Sequence, residues 1–185
     1  MEPTEQLSYV LPTFSSMVDR VEPGQLDNAT PCHDFTVRDL LDHFIVLGGS
    51  FGYWFRGEEA PELTAPAANG SVPAAEVREV LDGVLEAAKS PGAMDRTISA
   101  PVGDMPGSTC ARFVAFDCLV HSWDLASATG LELEVPAALI ASVDEFARSA
   151  LTADMRDGDT FKEATVAPEG ASPIERLAAF SGRAV

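Results

Sequence analysis

The sequence predicts an all-α protein, a helical bundle that forms a single domain over residues 1–185. Apolar residues recur at steps of three and four in five separate segments, which is the pattern of amphipathic helices. Pro, Gly, Asn and Asp cluster between those segments, as they do in loops. At 185 residues the chain is long enough for one sizeable core and short for two. One long connection among the helices is typical of a bundle with a crossover.

The first three helices are predicted over residues 5–20, 36–57 and 73–90. Pro12 lies inside the first, which indicates a kink or a late start. Thr36 is suited to cap the second, and Asp39 three residues later completes a capping box with Asp in place of the usual Glu. Gly48 and Gly49 each weaken this helix by about 1 kcal/mol relative to Ala, but they allow a neighbouring helix to approach closely.

The second half of the chain begins with an irregular connection, DRTISAPVGDMPGST, which has no helical period and contains at most a short strand at Arg96–Ser99. A fourth helix is predicted from Ser108 to Thr129, ended by Gly130. A fifth spans residues 135–152, with Pro136 in its first turn. The closing ASPIERLAAFSGRAV predicts one more short helix.

The composition limits the classes of partner. The net charge of −17 disfavours nucleic acid and anionic lipid. No apolar run approaches the roughly 20 residues that span a bilayer, and the N-terminus is acidic where a signal peptide needs basic residues, so we expect a cytoplasmic protein. The three cysteines Cys32, Cys110 and Cys118 form no CxxC pair and are interpreted as small, reduced, mostly buried residues.

Three ionisable residues interrupt the apolar face of the fourth helix. Asp117, His121 and Asp124 are four and three residues apart, so they share the face that also carries Phe113 and Val120. A lone buried carboxylate is costly. A divalent cation removes that cost, because it pairs with the carboxylate and takes the imidazole lone pair.

The second helix carries a similar inward residue, His43, between Leu40 and Leu47. If the second and fourth helices are neighbours, His43 can meet Asp117 and His121. Two histidines and one carboxylate leave further coordination positions open, which is typical of catalytic rather than structural metal sites.

Other interpretations remain open from the residues alone. A lone inward histidine is more often a satisfied core residue than a ligand, and Asp117 with His121 could be a plain buried hydrogen-bonded pair. For Asp124 we expect a backbone partner nearby or a neighbouring helix, and for His33 a solvated loop position. The sequence has no Gly-rich phosphate loop, Ser-His-Asp order or nucleophilic cysteine motif.

Two blocks of sequence resemble a known family. TPCHDFTVRDLLDHF resembles the signature TPC-x-[DE]-W-x-V-x-D-L-x-x-H of the metal-binding domain of mycothiol-dependent maleylpyruvate isomerase, in the DinB-like superfamily. DMPGS and DCLVHSWDLASATG resemble its second block, and ASPIERLAAFSGR its C-terminal end. The resemblance covers nearly the whole chain. Phe35 stands where Trp is common and His33 occupies a variable position, and neither is expected to contact the ligands.

The resemblance implies a DinB-like four-helix bundle, up-down-down-up with a long crossover. It also implies a divalent metal, usually zinc, with Ni²⁺ or Fe²⁺ as alternatives. One histidine of the second helix and an acid-x-x-x-His pair of a later helix hold it, which here are His43, Asp117 and His121. The isomerase has Glu at the acidic position, so Asp117 is one methylene shorter.

The function implied is that of an S-transferase or isomerase that uses a low-molecular-weight thiol, mycothiol in the first place, on a small electrophile. The alternatives are a non-catalytic metal or small-ligand binding protein, and a bundle whose metal or buried His–Asp pair is purely structural. We expect Phe51, Tyr53 and Trp54 to line the cavity, no second domain after the bundle, and a homodimer formed through the third or fifth helix.

Overall fold

A computed structural model describes residues 1–100, 103–156 and 161–185. Within these ranges two strands, β1 (Thr97–Ala100) and β2 (Gly103–Pro106), pair antiparallel. Short 3-10 turns occupy Pro23–Gln25 and Ala153–Met155. The α-helices of the described ranges are α1 (Pro3–Val18), α2 (Val37–His43), α3 (Gly49–Arg56), α4 (Ala74–Ala88), α5 (Gly107–Thr129), α6 (Ala137–Ala150) and α7 (Pro173–Phe180).

Four long rods make the bundle. Helices α1, α4 and α5 each form one rod, and α2 and α3 together form the fourth. A π-helical stretch, Phe44–Gly48, joins α2 to α3, and its flanking residues keep right-handed helical dihedral angles, so the rod is continuous. Helix α1 packs against α5 and α4, α3 packs against α4, and α2 packs against α5. Leu7, Leu11 and Phe14 of α1 are fully or almost fully buried in the shared core. The predicted DinB-like four-helix bundle is confirmed, and α6 and α7 pack on α5 outside it.

Most predicted boundaries hold, with two differences. Helix α1 begins at Pro3 and continues through Pro12, so the late start is wrong. Pro12 is exposed, so its ring lies on the side of α1 that faces away from the core. The predicted strand begins at Thr97 rather than Arg96 and has a partner strand that the sequence did not predict. Pro101, expected as a break in this connection, lies outside the described residues.

Three glycines lie beside other elements. A Cβ on Gly48 would lie 3.5 Å from Val80 of α4, which is an ordinary contact distance, so α4 packs against the rod here without requiring glycine. Gly49 faces the loop instead, where a Cβ would lie 2.7 Å from Leu63. At the start of α5, a Cβ on Gly107 would lie 1.9 Å from the Ala93 carbonyl oxygen, so only glycine fits. Among the described helices, none is both long and apolar enough to cross a membrane.

Candidate metal centre

Helix α5 positions the ionisable residues because other elements surround it. Helices α1, α2, α6 and α7 and both strands contact it, so it is buried on most of its sides. Asp117 and His121 lie one turn apart on the side that faces α2. His43 is the last residue of α2, directly before the π-helical stretch, and its ring points at the same place. A π-helical stretch is frequent at functional sites.

The side chains of His43, Asp117 and His121 converge. The Nε2 atom of His43 lies 3.2 Å from Asp117 Oδ2, and the Nε2 atom of His121 lies 3.4 Å from Asp117 Oδ1. One potential ligand atom from each residue lies within 4.8 Å of the others. Two ligands bound tetrahedrally at about 2.1 Å from one ion are separated by about 3.4 Å. The donor set of two imidazoles and one carboxylate therefore fits a divalent cation.

The charges of this cluster support one another. Burial raises the pKa of Asp117, but His121 and His43 outweigh that effect and hold the pKa well below its usual range. Burial likewise lowers the pKa of His121, but Asp117 and the hydrogen bonds to Asp117 and Asp124 outweigh it and raise the pKa to about 9. The carboxylate of Asp117 is consequently ionised at neutral pH, as a metal ligand must be.

The expectation that Asp124 contacts backbone or a neighbouring helix is wrong, because its partners are the side chains of His121 on its own helix and Arg183 in the C-terminal tail. Asp124 is fully buried, and its Oδ2 atom accepts a hydrogen bond from His121 Nδ1 at 2.9 Å. The same oxygen lies 2.9 Å from Nη2 of Arg183, in the C-terminal tail. Because Nδ1 donates to this carboxylate, a cation that binds His121 would displace the proton of Nε2, and this arrangement is common around metal-bound histidines.

The loop before α2 covers the two histidine rings. Its backbone is closed by the Phe35 N–H, which donates to the Cys32 carbonyl at 3.0 Å, and Asp34 adopts a left-handed conformation in the turn. The Phe35 ring stacks on His121 with centroids 6.1 Å apart and meets His43 edge-on at 5.9 Å. The expectation that Phe35 does not contact these residues is therefore wrong. Aromatic packing of this kind holds both rings in place.

A cavity of about 380 Å³ opens beside the three converging residues. Its walls come from the loop before α2, the α2–α3 rod, the two strands, α5 and the C-terminal segment. Besides His43, Asp117 and His121, the lining residues are Pro31, Cys32, His33, Phe35, Leu47, Phe51, Ala100, Met105, Cys110, Phe113, Phe116, Val120, Phe161, Lys162, Ser181, Gly182 and Arg183. Most of this wall is apolar, as in typical small-molecule sites.

Only one of the three residues expected in the cavity wall lies there. Phe51 lines the cavity, whereas Trp54 packs edge-on against Phe51 at 5.2 Å between ring centroids. The guanidinium carbon of Arg56 lies over the Tyr53 ring, 4.9 Å from the ring centroid. Neither Tyr53 nor Trp54 is among the lining residues in the part of the chain that the structure describes.

His33 and the cysteines agree with their predicted roles. His33 is exposed beside Asp34 at the cavity rim. All three cysteines are free thiols, and burial raises the pKa of Cys110 to about 12 and that of Cys118 well above its usual value. Cys32 lies in the cavity wall near His121, and burial is the main cause that raises its pKa. None of these environments favours a reactive thiolate.

Sequence reasoning missed the C-terminal contribution. Phe161, Lys162 and Arg183 complete the cavity wall. Arg183 also contacts Asp124, which accepts a hydrogen bond from His121. A signal was available in the stretch Phe-Ser-Gly-Arg, where a glycine directly after an apolar helix predicts a turn that redirects the chain. The direction in which that turn points the arginine depends on tertiary packing.

Comparison with known proteins places these features in a family. The family model of the mycothiol maleylpyruvate isomerase N-terminal domain matches residues 12–126. Two uncharacterized proteins of Mycobacterium tuberculosis, from strains CDC 1551 / Oshkosh and H37Rv, are each 31% identical over 174 residues, which are 93% of this chain and 92% of each relative.

The solved structures are similar in fold. The crystal structure of the mycothiol-dependent maleylpyruvate isomerase gives a TM-score of 0.55 at 15% identity, covering 78% of this chain and 68% of that chain. A histidine-to-alanine mutant of that enzyme gives a TM-score of 0.55 at 14% identity, with the same coverage. Because the family model matches more than half of the chain, the chain belongs to the mycothiol maleylpyruvate isomerase N-terminal domain family.

Proposed function

We propose that this protein binds a divalent metal and is an S-transferase or isomerase that uses a low-molecular-weight thiol on a small electrophile. The observation that carries the proposal is the position of His43, Asp117 and His121 at the wall of a cavity of about 380 Å³. A buried His–Asp pair that only stabilised the bundle would need no such opening. A structural metal site would have four protein ligands rather than three.

The proposed ligands are the Nε2 atoms of His43 and His121 and the carboxylate of Asp117. Zinc suits this donor set, and Ni²⁺ and Fe²⁺ are alternatives. Three protein ligands leave at least one coordination position for a small molecule. A bound cation would favour the thiolate form of a thiol beside it, lowering the thiol pKa from about 8.5 towards neutrality.

The residues of the chain would bind and orient the reactants. Phe51, Phe113 and Phe116 give an apolar wall that limits water near the reacting groups. Lys162 contributes positive charge to the wall of a molecule whose net charge is −17, so it favours an electrophile with an anionic group. The solved neighbour is named for maleylpyruvate, and we propose a small electrophile of that kind here. As an isomerase the protein would release the thiol unchanged, and as a transferase it would leave the thiol attached to the product.

The proposal is tested by loading the protein with cobalt(II), which reports its ligands through visible absorption. Adding mycothiol should produce a sulfur-to-cobalt charge-transfer band in the near ultraviolet. The band should grow with pH through an apparent pKa below that of the free thiol, because the cation favours the charged form. Asp117→Asn should weaken both metal binding and the band, since it removes the anionic ligand.

Controls separate specific binding from general effects. His33→Ala should keep the band, because His33 is an exposed rim residue. Bacillithiol and glutathione serve as comparison thiols. If the cobalt-loaded protein binds none of these thiols at millimolar concentration, the thiol-dependent reaction is excluded and a non-catalytic binding protein becomes the better account.

A further inference from the structure

A buried carboxylate connects the C-terminal tail to the candidate metal centre. Asp124 is fully buried, and the side chain of Arg183 is only 13% exposed. Nη2 of Arg183 lies 2.9 Å from Asp124 Oδ2, and Nε lies 3.3 Å and 3.4 Å from Oδ2 and Oδ1. A carboxylate that is removed from water needs a paired charge to stay ionised. The guanidinium fork supplies it and also limits rotation of the carboxylate.

The same carboxylate orients His121. Asp124 Oδ2 accepts from His121 Nδ1 at 2.9 Å, on the side of the ring opposite the Nε2 atom that lies near Asp117. The orientation of the carboxylate therefore determines the orientation of the ring. An imidazole held in this way presents Nε2 in one direction.

The backbone of the tail aims Arg183 at this carboxylate. The Gly182 N–H donates to the Ala179 carbonyl and the Arg183 N–H to the Ala178 carbonyl, both at 3.0 Å. This pair of bonds is the Schellman motif, and it requires the positive φ of 96° that Gly182 adopts. Nη1 of Arg183 also donates to the carbonyl and hydroxyl oxygens of Ser181, at 3.3 Å and 3.4 Å.

We propose that Arg183 is a positioning residue of the candidate metal centre, which acts through Asp124 to hold His121 in the orientation that binds the cation. The inference rests on the proposed function for its metal. It assigns a role to the C-terminal tail, which lies outside the part of the chain matched by the family model. Arg183 itself does not need to touch the metal.

The first test measures zinc affinity by competition with a chelator. Arg183→Ala should weaken zinc binding by about 10- to 100-fold, which is the usual effect of removing a residue that orients a metal ligand through hydrogen bonds. Arg183→Lys keeps the charge without the fork and should lose less. The matched control is Arg156→Ala, which removes two other tail contacts, to the carbonyls of Lys162 and Phe180 at 2.6 Å and 3.0 Å, without touching Asp124. This control should keep full affinity, whereas an equal loss would mean that general tail packing is responsible.

A double-mutant cycle tests whether Arg183 acts through Asp124. If it does, Asp124→Asn combined with Arg183→Ala should bind zinc no more weakly than Asp124→Asn alone. Losses that add, or full affinity in Arg183→Ala, would overturn the proposal. Circular dichroism of each variant confirms that it is folded.

A second measurement does not depend on a metal. In the metal-free protein, NMR of the imidazole groups should show a slowly exchanging Nδ1 proton on His121. Exchange of this proton with water should become fast in Arg183→Ala and intermediate in Arg183→Lys. If the wild-type protein binds no zinc, the proposed function fails, but this result still decides whether Arg183 orders His121. An Nδ1 proton that exchanges equally slowly in wild type and Arg183→Ala overturns the inference.

Discussion

Asp117 is the residue on which the candidate centre depends, because both imidazoles contact its carboxylate. His43 and His121 approach different oxygens of it, at 3.2 Å and 3.4 Å. The side chain is 33% exposed, so it is open towards the cavity rather than sealed in the core. This combination of paired charge and access favours the proposed binding site over a pair that only fills space.

Removal of any one ligand should empty the centre. We expect His43→Ala, Asp117→Ala and His121→Ala each to lose most of the bound metal, since two remaining ligands hold a cation weakly. His33→Ala is the matched control, because it is a histidine of the same cavity rim that points to solvent. Elemental analysis of the purified variants measures their metal content. Full metal content in His43→Ala would show that His43 is not a ligand.

The sequence could predict only part of this site. The inward positions of Asp117 and His121 follow from their spacing on one helix, and that of His43 from its apolar neighbours. The contact between Arg183 and Asp124 joins residues 59 positions apart, and no local period encodes it. The packing of Phe35 on both rings depends on a loop turn, which periodicity cannot describe.

Among the elements, the start of α2 was predicted most closely, because a capping box is a local pattern. The Thr36 hydroxyl accepts from the Asp39 N–H at 3.2 Å, and the Asp39 carboxylate accepts from the Thr36 N–H at 2.8 Å. The π-helical stretch within the same rod was not predicted, since no proline or polar residue marks it. Strand β2 was also missed, because its Gly and Pro residues indicated a loop.

The capping box gives a prediction about pH. The hydrogen bonds from the Thr36 side chain and backbone lower the pKa of Asp39, against a smaller opposing effect of burial. The folded pKa therefore lies below the unfolded value of about 3.9, so this stabilisation is complete above that value and is lost as pH falls through the folded pKa. We expect Asp39→Asn to lower the free energy of unfolding at neutral pH and to have little effect near pH ~2.

Urea unfolding at both pH values measures this difference. Asp27→Asn, an exposed loop carboxylate, is the control, and its effect should be small at both values. Thr36→Ala should cost about 1 kcal/mol at neutral pH, as for other N-cap residues. An Asp39→Asn effect that is as large in acid as at neutral pH would contradict the assignment.

The turn after α7 depends on a glycine in the left-handed conformation. Gly182 has a φ of 96°, and a Cβ there would lie 2.8 Å from the Lys162 Cβ. Gly170 has a φ of 84° but has no atom within 4 Å of an added Cβ. Gly170→Ala should therefore cost only the left-handed backbone strain, about 1 to 2 kcal/mol.

Gly182→Ala should cost more than this control by about 1 kcal/mol or more, because Lys162 must also move. It should also weaken zinc binding, since it displaces Arg183 from Asp124. Urea unfolding and chelator competition measure the two effects. Equal destabilisation by both alanines would show that the contact with Lys162 relaxes without cost.

For the molecule as a whole, fold and candidate centre are linked, since the proposed ligands come from two rods of the bundle. A cation that binds His43 together with Asp117 and His121 bridges α2 and α5 only in the native state. Metal well above its dissociation constant should then stabilise the fold, by about 4 kcal/mol at a thousandfold excess over that constant. We expect a chelator to lower the melting temperature of the wild-type protein.

The triple variant His43→Ala, Asp117→Ala, His121→Ala is the control for that experiment, because a chelator should not change its melting temperature. Differential scanning calorimetry with and without chelator measures both proteins. A wild-type melting curve that stays the same after the metal has been removed, as shown by elemental analysis, would contradict the bridging role.

The state of association depends on which surfaces remain free for a second copy. The apolar faces of the third and fifth predicted helices, which suggested a homodimer, are used inside the chain, since Val77 and Leu81 of α4 and Leu139 and Val143 of α6 are almost fully buried. A dimer must therefore use other surface. With a net charge of −17, two copies repel each other at low ionic strength and approach more easily when salt screens the charge. We expect sedimentation velocity to show a dimer whose population grows from low to near-molar salt. A monomer mass over that whole range would exclude the dimer.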